Sequence, residues 1–185
     1  WEDLLDPKWK GQIAVQPRVT SWYTLALGDG GWGIEKTEKF LTKLREQKLV
    51  YASSNTAGVT LMVTGEFKIL ADGFVYHALQ NQEKGMPGDW GRVNPIPVTG
   101  PSFTLQRRAS HPNAAKLFLE WLFSPPGLVT YESITYYGAV YPGSGTRLTK
   151  VLEGFILVNR TEEVDQKAIE LGLERKFSQI LGITP

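Results

Sequence analysis

Gln12-Ile13-Ala14-Val15-Gln16, closed by Pro17, decides the fold class of this chain. The run follows the Lys10-Gly11 turn and is apolar without alternation at its centre, as a strand covered on both faces must be. Working outward from it, Thr20 or Ser21 can cap a helix through Leu27 that stops at Gly28. Residues 35–47 place Phe40, Leu41 and Leu44 on one helical face. A short strand at 49–52 follows. Ser54 or Asn55 then caps a helix to Thr64, and Gly65 ends it. A strand at 67–71 and a helix at 73–84 complete the pattern. Strands separated by single helices predict an α/β layer with parallel pairs.

Residues 84–101 hold Pro87, Pro95, Pro97 and Pro101, so a loop-rich crossing is expected there. Residues 102–107 read as a strand. Residues 113–123 read as a helix with Ala114, Leu117, Phe118, Trp121 and Leu122 on its buried side. Pro125 and Pro126 stop that helix or start another. A last helix is expected over 162–181, broken near Gly172.

Composition narrows function by exclusion. Lys+Arg 20 against Asp+Glu 19 gives a net charge of +1, so bulk charge offers no reason to expect nucleic acid or an anionic membrane as partner. There is no cysteine, which removes disulfides, thiolate metal sites and a cysteine nucleophile. His77 and His111 stand too far apart for a helical two-histidine zinc pattern. No apolar run reaches the length of a membrane-spanning helix. No cofactor is expected.

Gly28-Asp29-Gly30-Gly31-Trp32-Gly33 fits a G-x-G-x-x-G spacing, but a helix precedes it where a dinucleotide site needs a strand. It reads as an inter-helix loop. Tyr141-Pro142-Gly143-Ser144-Gly145 lacks the spacing of a nucleophile elbow. No catalytic residue is assigned, and an enzyme is not expected.

Thr20-Ser21-Trp22 and Ser54-Asn55-Thr56 each open a helix after a strand, and helix N-termini attract anionic groups. Strands that run parallel bring both to the edge where open α/β sheets bind ligands. Asp72 and Tyr76 follow the third strand to the same edge. Asp72 can accept hydrogen bonds from a ligand or cap its helix, and capping is the simpler role. Tyr76 offers a hydroxyl and a flat face. His77 is expected on another side of that helix and is not taken as a ligand. Tyr131, Tyr136, Tyr137 and Tyr141 cluster in sequence; they suit phenolate coordination of a hard ion, an aromatic wall, or an ordinary half-buried cluster.

Trp1-Glu2-Asp3-Leu4-Leu5-Asp6-Pro7-Lys8-Trp9-Lys10-Gly11-Gln12-Ile13 resembles the W-x-D-L-x-D-P-x-W-K-G-x-I signature of periplasmic solute-binding proteins of bacterial ABC importers, the family that includes the ferric-iron binders. Thr64-Gly65-Glu66 is similar to the family's helix-ending "GE". The stretch from Lys84 to Trp90 is similar to its K-G-x-P-x-x-W turn, and the run from His111 to Ser124 to its HPNAAKLFLDWLLS helix.

The resemblance implies a type 2 periplasmic-binding-protein fold, represented mainly by the second lobe with parts of the hinge and the first lobe. Residues 1–105 are then the second-lobe domain with the hinge crossing, 106–156 return to the first lobe, and 157–185 are helical and pack on the second lobe. It implies a periplasmic, non-catalytic carrier that closes on a small-molecule or ion solute and hands it to ABC permease subunits. A ligand-sensing regulatory domain on the same fold, or a ferric-iron binder, is the alternative.

Asn55 matches the family's anion-contacting asparagine, and Tyr76 the second of its two iron-binding tyrosines. Val75 stands in place of the first, and valine cannot ligate a metal. The expected ligand set is therefore Thr20, Ser21, Trp22, Asn55, Thr56, Asp72 and Tyr76, with no metal ligand. These helix ends suit an organic or oxyanionic solute. In the family the helix resembling 113–123 packs on the first lobe, so its partner is expected to be that missing lobe or a second copy of the chain in a dimer.

Overall fold

The computed structural model describes residues 1–183 and shows a mixed α/β protein. The chain forms two compact units, one from Trp1–Thr99 with the chain from Phe155 onward, the other from Gly100–Gly154. The breaks fall after 99 and 154, where the sequence suggested 105 and 156.

The larger unit opens with two 3₁₀ turns, Glu2–Leu5 and Pro7–Trp9. Strand β1 (Ile13–Val15) follows, and all three of its side chains are closed to solvent. It lies between β2 (Val50–Tyr51) and β3 (Ile69–Leu70) and runs parallel to both, with Ala14 opposite Val50 on one side and Leu70 on the other. Helices α1 (Thr20–Leu27), α2 (Ile34–Arg45), α3 (Asn55–Thr64) and α4 (Val75–Glu83) connect or follow these strands. Each helix expected in this stretch is present.

A second sheet was not foreseen. β4 (Ile96–Val98) sits inside the proline-rich stretch read as a crossing loop, and pairs in parallel with β5 (Leu157–Asn159). Pro97 is tolerated because Ile96 and Val98 make the bonds to the partner strand: Ile96 N–H donates to Ile156 O at 2.8 Å, and Val98 O accepts from Arg160 N–H at 3.0 Å. Residues 102–107, read as a strand, form none, and no β-ladder includes them.

The C-terminal segment is two helices, α8 (Glu162–Glu170) and α9 (Leu173–Leu181), separated at Gly172 in the left-handed region. Leu173, Phe177 and Leu181 recur every fourth residue, so one stripe of α9 is buried in the core shared with Trp22, Leu25, Leu41 and Leu44. Its last turn would otherwise leave carbonyls unpaired. Arg45 Nη1 donates to Gln179 O (2.8 Å) and Ile180 O (3.0 Å), and Tyr51 Oη donates to Leu181 O (2.7 Å). The cation of Arg45 also meets the negative end of the helix dipole. Trp1 completes the core, with its ring edge-on to Trp22 at 5.6 Å and to Trp32 at 5.5 Å.

In the smaller unit, α5 (Pro112–Leu122) and α6 (Pro125–Thr135) pack together, and α7 (Arg147–Val151) follows. The buried side expected on α5 is mostly outside: Leu117 is 67 % exposed, Phe118 54 % and Trp121 45 %, and only Leu122 is buried. A stripe of apolar residues marks a helix face that can be covered; whether it is covered depends on what packs there.

The glycine-rich run 28–33 is the loop between α1 and α2, as its preceding helix required. Trp32 N–H donates to Leu25 O at 2.6 Å, folding the loop back on α1. A Cβ on Gly31 would meet that carbonyl oxygen at 2.3 Å. Backbone cannot yield cheaply, so Gly31→Ala should destabilise the protein by about 1–3 kcal/mol. Asp29→Ala, in the same loop but exposed, should change stability by less than about 0.5 kcal/mol. Urea denaturation of the two variants checks the contrast.

Candidate functional site

Parallel strands place the residues that follow them at one edge of the sheet, and side-chain chemistry ties this edge together. Gln16 follows β1, Asn55 begins α3 after β2, and Asp72 follows β3. Gln16 N–H donates to the Asp72 carboxylate at 3.3 and 3.4 Å, and Asn55 Nδ2 donates to Asp72 O at 2.9 Å. All three residues are buried, Asp72 to 5 % exposure. The ends of three strands are thus linked through one acid residue. Asn55 Oδ1 remains buried with no protein partner.

Burial raises the Asp72 carboxyl from the ordinary 3.8 to about 7, against a smaller lowering from the Gln16 and Asp72 backbone N–H groups. No cation pairs with it among the described residues. Beside it on α4, burial lowers the His77 imidazole below its usual range, which favours the neutral ring. His77 Nε2 lies 2.6 Å from Tyr76 Oη, a hydrogen bond whose donor depends on the imidazole tautomer. The Tyr76 ring stacks on Phe74 at 5.6 Å. His77 therefore shares its surroundings with Tyr76, contrary to the separate placement read from the sequence.

The expected roles are redistributed. Thr20 and Ser21 are the first residues inside α1, whose N-cap is Val19 without a side-chain bond, so neither hydroxyl caps the helix. Ser54 does cap α3, its Oγ accepting from Ala57 N–H at 3.2 Å. Asp72 does not cap α4, since Phe74 occupies that position. The carboxylate faces Gln16 N–H across the sheet instead. Thr56 is exposed at the start of α3. Trp22 is closed to solvent within the core, its Nε1–H without a protein partner.

A cavity of about 340 Å³ adjoins this edge. Ser21, Trp22 and Asp72 share its wall; Thr20, Asn55, Thr56 and Tyr76 are not part of it. Phe74, His77 and Asn81 also border it and were not anticipated as site residues. Their only sequence signal is position: they lie on the helix that follows a strand end. Gln16 carries no signal at all, because it acts through its backbone.

The tyrosines singled out in the smaller unit play local parts. Tyr131 meets Phe103 edge-on at 5.6 Å, Tyr136 ends α6 in the left-handed region, and Tyr141 Oη donates to Phe123 O at 3.4 Å. Among the described residues no group of three or more His, Asp or Glu is placed to hold a metal ion, and no helix is long and apolar enough to cross a membrane. No protein-family model, curated protein or solved structure matches this chain.

A carboxyl raised by burial holds its proton in the folded state between pH 4 and 7 while the unfolded chain has lost it. Stability must therefore fall as pH rises through that window and level off above about 7. Relative to Asp72→Asn, the native protein should lose roughly 2–3 kcal/mol between pH 5 and pH 8. Urea titrations at the two pH values measure this. An unchanged difference between the two proteins would mean that Asp72 ionises as an ordinary carboxylate.

Proposed function

We propose that the chain is part of the solute-binding component of a bacterial ABC importer, with a type 2 periplasmic-binding fold whose second lobe is the larger unit. The observation that carries this reading is the convergence of helix N-termini at one sheet edge. α1, α3 and α4 all begin on the side where β1, β2 and β3 end, and the Gln16–Asp72–Asn55 bonds hold those ends in register. Unpaired N–H groups and the positive ends of the dipoles suit an anionic group on a small solute. The exposed Thr56, in the first turn of α3 beside Asn55, stands where such a group would dock. Open α/β sheets bind ligands at this edge.

The carrier works in the periplasm, closes on its solute by a hinge motion and delivers it to permease subunits; it performs no chemistry. The bare apolar face of α5, with Leu117, Phe118 and Trp121, is the surface for the first lobe or for a second copy.

Thr56→Glu tests the site without removing a structural bond. A carboxylate in the first turn of α3 favours the helix but repels an anion at its N-terminus. Isothermal calorimetry with phosphate, sulfate, carbonate and small dicarboxylates should give saturable binding for at least one compound. Thr56→Glu should weaken that binding about tenfold or more while leaving the melting temperature unchanged or raised. Absence of heat from every compound, or an affinity indifferent to Thr56→Glu, overturns the reading.

A further inference from the structure

Three loops join a strand end to a helix start at the candidate edge: residues 16–19 between β1 and α1, 52–54 between β2 and α3, and 71–74 between β3 and α4. Arg18, Ser53 and Gly73, one from each loop, are exposed, so the edge is open to solvent. Arg18 and Asp72 are the charged residues on these loops. Asp72 is buried and retains its proton to about pH 7, so the standing charge of the edge is the guanidinium of Arg18. Among the described residues Arg18 has no ion pair and no side-chain hydrogen bond. In the same unit Arg45 donates to carbonyls of α9, while Arg92 and Arg160 pair with Asp89 and Asp165. The helices that open on this edge are bare as well. α2, α8 and α9 carry acids in their first turns, at Glu35, at Glu162, Glu163 and Asp165, and at Glu174, where a negative charge offsets the positive end of the dipole. α1, α3 and α4 carry none. In the larger unit the acid-free helix starts are thus the ones that share an edge with an unpaired arginine.

We infer that Arg18 selects the solute: it takes an oxyanionic group, a carboxylate or a phosphoryl group, through two parallel N–H···O bonds. This rests on the solute-carrier reading of the same edge. A guanidinium is planar and presents its donors as a fork matched to two oxygens of one group, and it stays charged at every physiological pH. A lysine would supply a point charge without that match. Pro17 fixes its own φ immediately before Arg18, which limits the backbone freedom lost when a ligand is held. A cationic solute meets only repulsion from the exposed charge on these loops.

Isothermal calorimetry with inorganic phosphate and with succinate tests this on the 185-residue protein. Saturable binding of at least one probe is expected, and the tighter of the two tells a phosphoryl from a carboxylate solute. Arg18→Ala should weaken that binding about tenfold or more. Its melting temperature should be unchanged, because the side chain is exposed and spends no bond on the fold. Arg18→Lys keeps the charge and loses the fork, so it should recover only part of the loss. Arg175→Ala, which removes an exposed arginine of α9 outside these loops, should leave the affinity as it is. Equal affinity of Arg18→Ala, full recovery by Arg18→Lys, or an equal loss in Arg175→Ala overturns the inference and leaves the carrier reading standing. Binding of sulfate or carbonate with neither phosphate nor succinate bound does the same. Failure of every anion to bind removes the carrier reading and this inference together.

Discussion

Ile13, Ala14 and Val15 are withdrawn completely from water, and that requirement places most of the larger unit. A strand buried on both faces needs helices over both of them, and its backbone groups are paired on both sides because β2 and β3 flank it. Parallel pairing then demands a crossover between successive strands, which α1–α2 and α3 supply. α8 and α9 arrive from the far end of the chain to finish the same core, with Phe177 as closed to solvent as Trp22. Each fully buried side chain of this size contributes about 1.5–3 kcal/mol, and Arg45 and Tyr51 hold the last turn of α9 where that burial is possible.

The same geometry creates the candidate site. Three strands pointing one way deliver three chain segments to one edge, and a buried acid there would be costly without hydrogen bonds. Asp72 meets that cost in part through Gln16 N–H and through a proton retained to about pH 7. The carboxyl is thus a tie between strand ends and an inner boundary of the cavity at once.

Where sequence reading and structure part company, the causes are specific. Residues 102–107 alternate well enough for a strand, yet a strand exists only where a partner lies alongside, and none does. Residues 96–98 contain a proline that argues against a strand, yet the pairing to β5 uses the residues on either side of it. The apolar face of α5 was legible as a pattern of Leu117, Phe118 and Trp121, but a pattern specifies a face and not its cover. Helical spacing puts His77 on another side of α4 from Tyr76, yet the two side chains meet within hydrogen-bonding distance, because side-chain length lets neighbouring residues reach each other across helical positions.

The order of strands and helices from β1 to α4, the break at Gly172 and the start of α3 at Ser54 or Asn55 were determined by the sequence itself, because each follows from local periodicity or from the chemistry of a single turn. The helix-opening residues Ser54, Asn55 and Thr56 were legible for the same reason. The tie through Asp72, the role of the Gln16 backbone, the β4–β5 pair and the cavity beside Asp72 were decided only in the tertiary structure. The Gln16–Asp72 bond joins residues 56 positions apart and the β4–β5 ladder joins Ile96 to Leu157; such contacts depend on which chain segments the core brings together, which no local pattern encodes.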